Sequence, residues 1–204
     1  IADDYTISVD ELEDIIQKSK DQLLKVRDKR MHPPLDDKVL TAWNALMLGA
    51  YVDAYRAFDE KRFLQAAREN ADFLMENAIS DNGITRNFKD GKSSINGFLD
   101  DYAFVIAAFI DLYQATFEEK WLKEADDLTQ YAIENFFDES NGMFFYSHDD
   151  HSDLISRKKE IADNVIPSSN SAMAKNLFFL GKYFYNEKYI DKSKQMLNNV
   201  SSKL

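Results

Sequence analysis

Apolar positions along this chain fall into segments of two kinds, and the kinds alternate. From about Lys38 to Ala57, Val39, Leu40, Trp43, Leu46, Met47, Leu48, Tyr51, Val52 and Tyr55 occupy nearly every face, which predicts a helix buried all round. From about Arg62 to Asn77, Phe63, Ala66, Ala67, Asn70, Phe73 and Leu74 form one stripe on an otherwise charged or polar surface, the pattern of an outer helix. The alternation continues. An uncharged helix over about Asp101–Ala115 precedes a charge-rich one over Lys120–Phe136, and Ser168–Phe184 precedes Lys188–Val200. A further helix is expected over Val9–Arg27, opened by the capping box Ser8-Val-Asp-Glu11. Met31-His-Pro-Pro-Leu-Asp-Asp37 ends it, because proline lacks a donor and biases the preceding residue away from helix. Pro167 stands just ahead of the third uncharged helix, as suits a helix start.

The pattern is a repeat. The corners between paired helices read Phe58-Asp-Glu-Lys-Arg-Phe63, Thr116-Phe-Glu-Glu-Lys-Trp121 and Tyr185-Asn-Glu-Lys-Tyr189. Counting back 19 residues from Phe63, Trp121 and Tyr189 reaches Asn44, Tyr102 and Asn170, near the start of each uncharged helix. Between the units lie short strand signals. Ile84-Thr-Arg-Asn-Phe88 with Asp90-Gly91 predicts a hairpin, and Met143-Phe-Phe-Tyr-Ser147 predicts a strand returning through Leu154–Arg157. Fully apolar helices covered on one side by amphipathic ones imply two layers about a shared axis. The fold class is therefore all-α: a partial α/α toroid of about three helical hairpins with small β-hairpin insertions, read as a single domain over residues 1–204. A tetratricopeptide solenoid is the alternative, but its units are about 34 residues. The units here recur after 58 and 68 residues (102−44, 170−102).

Composition narrows the partners. Hydrophobic content of 45% argues against disorder. A net charge of −11 disfavours nucleic acid and anionic membrane surfaces. No apolar run has the length of about 18 residues that a membrane span requires. The absence of cysteine fits a reducing cytoplasm, where the chain is placed, and removes thiolate chemistry. The start lacks the basic and apolar regions of a signal peptide, and beginning without Met inside a readable pattern it suggests a piece of a longer protein. Half a toroid would expose apolar inner-helix edges, so a homodimer through those edges is an expectation.

In a stacked hairpin array, function is expected where the inner helices open. Asp36-Asp37-Lys38 leads into the first, with Trp43 and Asn44 about two turns on. Asp36 and Asp37 suit a cavity acid beside a plain cap, or helix capping alone. Trp43 suits a sugar platform or a core position. Asp100-Asp101-Tyr102 opens the second helix. Paired carboxylates serve glycosidic chemistry as acid and base or nucleophile, and burial separates their roles. Asp101 is the leading catalytic candidate and Asp37 the second, while capping explains them equally well. Ser168, Ser169 and Asn170 open the third helix, where they bind a hydroxylated ligand or simply cap. Arg86, in the first hairpin, suits a group that holds an anion over the cavity mouth or, more simply, a solvated surface arginine. His148-Asp-Asp-His151 with Asp153 has metal-ligand types, but it sits at a hairpin tip where polar residues are solvated; no metal is assigned. No Gly-rich phosphate loop occurs, and no cofactor is expected.

Three segments carry a family resemblance: Pro34-Leu-Asp-Asp-Lys-Val-Leu-Thr-Ala-Trp-Asn44, Gly97-Phe-Leu-Asp-Asp-Tyr-Ala103 and Asp163-Asn-Val-Ile-Pro-Ser-Ser-Asn-Ser171. In order and spacing, from about residue 24 onward, the chain resembles the bacterial YyaL-like proteins, a thioredoxin-domain-containing family that includes the animal spermatogenesis-associated homologues. The resemblance implies an N-terminal thioredoxin-like domain, absent from this sequence, and a C-terminal toroid similar to those of N-acylglucosamine 2-epimerases and six-hairpin glycosidases. This chain is similar to the last part of that toroid. The sugar epimerases use inner-helix histidines as acid and base, and none of the three histidines here lies on a predicted inner helix. Two functions follow as expectations: a sugar hydrolase or isomerase working through Asp101 and Asp37, or a non-catalytic scaffold binding a ligand or peptide. Substrate-binding positions in the first are Asp36, Trp43, Asn44, Arg86, Asp100, Tyr102, Ser168 and Asn170.

Overall fold

The computed structural model describes residues 1–149 and 156–201. The chain divides into two compact units, Ile1–Asp37 and Lys38–Leu204. The first carries a 3-10 turn, Asp3–Tyr5, and helix α1, Val9–Arg27. Of the expected capping box the serine half is formed: Ser8 Oγ accepts the Glu11 N–H at 3.1 Å. Asp10 and Glu11 occupy the first turn and Lys25 and Arg27 the last, as the helix dipole favours.

The second unit is three helical hairpins: α2 (Thr41–Phe58) with α3 (Lys61–Asn77), α4 (Leu99–Thr116) with α5 (Glu119–Phe136), and α6 (Ser169–Tyr183) with α7 (Glu187–Ser201). Helices α2, α4 and α6 adjoin in that order as an inner layer, and each is backed by its own outer partner. The three corners share a backbone solution. Asp59, Phe117 and Tyr185 each take a left-handed φ, of 55°, 56° and 53°, a conformation that non-glycine residues adopt sparingly. Central α4 is enclosed: Tyr102, Val105, Ile106, Ala108, Phe109, Ile110 and Leu112 are all at most 2% exposed. Phe109 packs on Trp121 of the outer helix with ring centroids 5.3 Å apart. Among the described residues no helix is long and apolar enough to cross a membrane.

Short strands fill the gaps between hairpins. Strand β3 (Gly83–Lys89) pairs antiparallel with β1 (Val39–Leu40), β2 (Ile79–Ser80) and β4 (Lys92–Asn96). The β3–β4 turn is made by Asp90 and Gly91, both at positive φ, the turn that matches strand twist. After α5, β5 (Phe137–Asp138) pairs with β6 (Met143–Phe144).

Three expectations need correction. Helix α2 begins at Thr41 and not at Lys38, because Val39 and Leu40 are drawn into the sheet opposite Phe88 and Asn87. It is also not buried all round: Trp43 is 57% and Met47 51% exposed. Of the inner helices α4 alone packs along it among the described residues. Finally, Met143–Ser147 is a strand only over Met143–Phe144 and pairs back to β5. Leu154 and Ile155 of the expected return lie outside the described residues, while Tyr146 N–H donates to Lys158 O at 2.8 Å.

Candidate functional site

Helix α4 opens where the two β insertions meet, and two carboxylates stand in its first turn. The Asp101 side chain is 1% exposed. Its Oδ2 accepts the N–H of Phe98, the residue that caps its own helix, at 3.0 Å. Its Oδ1 accepts the N–H of Ala42, in the first turn of α2, at 3.1 Å. One carboxylate thus supplies an acceptor to two helix N-termini, where unpaired N–H groups and both dipoles favour negative charge. This replaces the capping expected of Asp36 and Asp37. Those residues are exposed and lie in the N-terminal unit, and α2 has no cap from its own flanking side chain.

Arg86, on β3, completes the cluster. Its Nη1 donates to Asp101 Oδ2 at 3.0 Å and to Asp100 Oδ1 at 3.1 Å. The guanidinium lies 5.0 Å from the centroid of the Phe98 ring, and Phe98 stacks on Tyr146 at 5.1 Å and 7°. Tyr146 donates its hydroxyl to Asp100 Oδ2 at 3.2 Å. Burial, followed by the charge of Asp100, pushes that phenol well above its ordinary pKa, so it remains a donor. Burial opposes the positive charge of Arg86, but the carboxylates of Asp101 and Asp100 outweigh it and hold the guanidinium protonated.

Burial and the neighbouring Asp100 push the Asp101 carboxyl up to about 7, against the pull of Arg86 and the Phe98 and Ala42 N–H donors. A folded-state pKa above the unfolded value means that the folded chain binds the proton more tightly between about pH 4 and 7. Relative to Asp101→Asn, wild-type stability is therefore expected to fall across that window, by about 1 kcal/mol per pH unit at its steepest. Above the window the difference is flat. Urea unfolding of both proteins at pH 4.5, 6 and 8 checks this. A difference that rises with pH would mean that the N–H donors and Arg86 dominate.

The other candidates tie loops to helices. Tyr102 is 2% exposed; its hydroxyl accepts the Ile84 N–H at 2.9 Å, and its ring stacks on Tyr131. Gly83 is required beside it. Its φ is +98°, and an added Cβ would lie 2.3 Å from the Tyr102 hydroxyl. Asn170, 2% exposed, accepts from Phe144 N at 2.9 Å and donates to Phe144 O and Glu160 O at 3.0 and 2.8 Å. Ser168 caps α6, accepting from Ser171 N at 3.1 Å and donating to Ile161 O at 3.0 Å. Asn44 donates to Leu40 O at 2.8 Å, within its own helix start. Trp43, on α2, is exposed. The structure thus gathers Arg86, Asp100 and Asp101, and sets Tyr102 behind them. It places Ser168 and Asn170 at the next helix start.

Sequence reasoning missed Phe98 and Tyr146. The signal lies in the strand pairing: Ile79 faces Ile84, and Phe137 faces Phe144, after α3 and α5 respectively. Ile84 and Phe144 are therefore equivalent, and two residues beyond them stand Arg86 and Tyr146. Equivalent positions of the two insertions converge on the same carboxylate, Asp100. Spacing along the chain hides this, because Ile84 lies 18 residues before Tyr102 and Phe144 lies 26 before Asn170.

Among the described residues no group of three histidines and acids could hold a metal ion. Of the expected cluster, Asp150, His151 and Asp153 lie outside the described residues. His148 is packed edge-on to Phe136, with Nε2 3.1 Å from the Tyr131 hydroxyl.

No family model matches the chain. An uncharacterized protein of Caenorhabditis elegans is 32% identical over 212 residues, covering 100% of this chain and 29% of its own length. Spermatogenesis-associated protein 20 of Homo sapiens is 28% identical over 211 residues, covering 98% of this chain and 27% of its own length. The chain is thus homologous to these proteins along nearly its whole length while spanning under a third of theirs. Three solved structures share the fold. The GH76 alpha-mannanase of Bacteroides thetaiotaomicron superposes with a TM-score of 0.63 at 19% identity, over 84% of this chain and 47% of its own. Cellobiose 2-epimerase from Bacillus thermoamylovorans gives 0.67 at 18%, over 82% and 45%. An unsaturated glucuronyl hydrolase specific for heparin gives 0.68 at 15%, over 84% and 48%. The fold is that of α/α toroids, and the chain matches about half of each.

Proposed function

We propose that this chain supplies part of a carbohydrate-binding α/α toroid, with Arg86, Asp100 and Tyr146 at the opening of α4 contacting the sugar and Phe98 backing them. The observation that carries this reading is the convergence of Arg86 and Tyr146 on Asp100. A guanidinium held by two carboxylates at one nitrogen and by an aromatic ring on one face keeps its remaining donors in a fixed direction, where ligand hydroxyls can accept. The solved neighbours named for sugar hydrolysis and epimerisation support a sugar as the ligand class.

For the adjacent pair Asp100 and Asp101 the geometry favours binding over two-carboxylate catalysis; Asp37, the expected partner of Asp101, belongs to the other compact unit. Glycosidic acid–base pairs stand about 5–10 Å apart across open space. Asp100 and Asp101 instead share one Arg86 nitrogen, and Asp101 is enclosed by the two N–H groups and Arg86. Asp101 is a positioning residue in this reading: it holds α2, α4 and Arg86 in register. Tyr102, Ser168 and Asn170 anchor the insertions that frame the opening.

Thermal unfolding of the full natural polypeptide with mannose, glucose, N-acetylglucosamine, cellobiose and their phosphates and uronates tests the proposal. A sugar that binds the folded state is expected to raise the midpoint with concentration. Tyr146→Phe keeps the ring stack but removes the hydroxyl on Asp100, and is expected to weaken that response about tenfold in apparent affinity. No shift with any sugar would overturn the reading and leave a scaffold.

A further inference from the structure

The two gaps between successive outer helices are built on one plan and closed differently. Phe63, Trp121 and Tyr189 are equivalent, so Glu124, Asp127, Leu128 and Tyr131 of α5 correspond to Lys192, Gln195, Met196 and Asn199 of α7. Residues at i, i+3, i+4 and i+7 share one helix face. Likewise Met75, Ile79 and Asp81, at and beyond the end of α3, correspond to Ile133, Phe137 and Glu139, at and beyond the end of α5.

The gap between α5 and α7 is closed by side chains of this chain. Lys192 places its ammonium 3.8 Å from the centroid of the Phe137 ring and pairs with Glu139 at 2.7 Å. Asn199 donates to Asn141 O at 2.6 Å, and the Gln195 side chain lies so close to Gly142 that an added Cβ would meet it at 2.4 Å. The gap between α3 and α5 keeps one of these ties: Tyr131 donates to Asn82 O at 3.0 Å. It has no counterpart of the lysine. Glu124 stands at that position, and a cavity of about 410 Å³ remains, floored by Met75, Ile79 and Leu128 and rimmed by Asp81, Glu124 and Asp127. Among the described residues Asp81 and Glu124 have no ion pair, and Asp127 pairs with Lys123 of its own helix.

We propose that the gap between α3 and α5 seats a lysine side chain presented by another polypeptide. The gap between α5 and α7 shows the fit within the same architecture: a lysine passes the position of Ile79, held there by Phe137, and ends at the position of Asp81, held there by Glu139. A lysine divides in this way, its stem lying along apolar surface and its ammonium reaching charge or water. Three carboxylates on the rim against the one ammonium of Lys123 supply the charge that such a head meets. A glutamate at 124 where the next repeat has a lysine at 192 thus turns a gap filled from within into one complementary to the same side chain arriving from outside.

Fluorescence anisotropy of a dye-labelled peptide of alternating lysine and alanine, titrated with the full natural polypeptide at about 0.15 M salt, tests this. The wild type is expected to bind the peptide. Glu124→Lys supplies the side chain that the second gap already holds and is expected to weaken binding at least about tenfold. Asp81→Asn keeps the shape of the rim, removes one charge and is expected to weaken binding about threefold. Glu134→Lys makes the same charge change at an exposed position of α5 outside the gap and is expected to leave binding within about twofold. Thermal unfolding confirms that each variant is folded, and Asp81→Asn carries the test if Glu124→Lys is not. Three results overturn the proposal. Absence of binding means that the gap is covered within the natural polypeptide or takes no lysine. Equal weakening by Glu124→Lys and Glu134→Lys means attraction to the overall charge of −11 and not to the gap. Displacement by free spermidine at the concentration that unlabelled peptide requires means that a small polyamine is the occupant.

Discussion

Replacing Arg86 with alanine is expected to destabilise the fold by about 3–5 kcal/mol near neutral pH. The substitution leaves Asp100 and Asp101, with side chains 8% and 1% exposed, without the cation that both now contact. It also removes the group stacked over Phe98. Most of the loss is the penalty of uncompensated buried charge and not the worth of the ion pair itself. The deficit should therefore shrink in acid, where the Asp101 carboxyl is protonated and its need for a cation disappears. Arg86→Lys retains the charge but not the planar fork and should lose less. Urea unfolding at pH 7.5 and pH 5 measures these terms. A loss below about 1 kcal/mol at neutral pH would put the cluster in the class of surface ion pairs, and the argument from burial would fail. Because Arg86 and Asp101 share a bond, the double variant should cost less than the sum of the singles.

Asn170→Ala is expected to cost about 3 kcal/mol or more, and to exceed the loss in Tyr102→Phe. The two residues occupy the same position in successive repeats and anchor equivalent strand residues, but with different chemistry. Asn170 satisfies three backbone groups: Phe144 N, Phe144 O and Glu160 O. Tyr102 accepts from Ile84 N and keeps its ring stack when the hydroxyl is removed. A buried backbone group left unpaired costs about 1–3 kcal/mol, so Tyr102→Phe should lose about 1–2 kcal/mol. Amide exchange at Phe144 should accelerate in Asn170→Ala ahead of global unfolding. Equal stability losses in the two variants would mean that the count of satisfied groups is not what sets these anchors.

The repeat that makes this comparison meaningful is legible in the order of residues alone. Helix–helix corners at Phe58–Phe63, Thr116–Trp121 and Tyr185–Tyr189 fall where the pattern places them, and the inner and outer layers follow from which helices lack charge. Periodicity works there because burial against a partner layer acts on every residue of a helix face. The same pattern overstates the burial of α2, whose Trp43 and Met47 are exposed. Apolar composition reports what a face is suited to meet and not what covers it.

The site is legible by residue type and illegible by role. Asp100-Asp101 at the start of α4 and Arg86 in the hairpin stand out as charged groups in an apolar setting. Their pairing does not, because each bond crosses from one element to another: Asp101 to Ala42 on α2, Arg86 on β3 to both carboxylates, and Tyr146 to Asp100. Capping read from local spacing assigns Asp36 and Asp37 to α2, whereas a carboxylate 59 positions away holds that helix start. The sequence by itself determined the helices, their layers and their repeat, because those depend on local spacing and on burial summed over many residues. Only the tertiary structure decided which carboxylate bridges two helix starts and which receives Arg86 and Tyr146. That choice rests on a few directional contacts between distant segments, whose geometry no local pattern encodes.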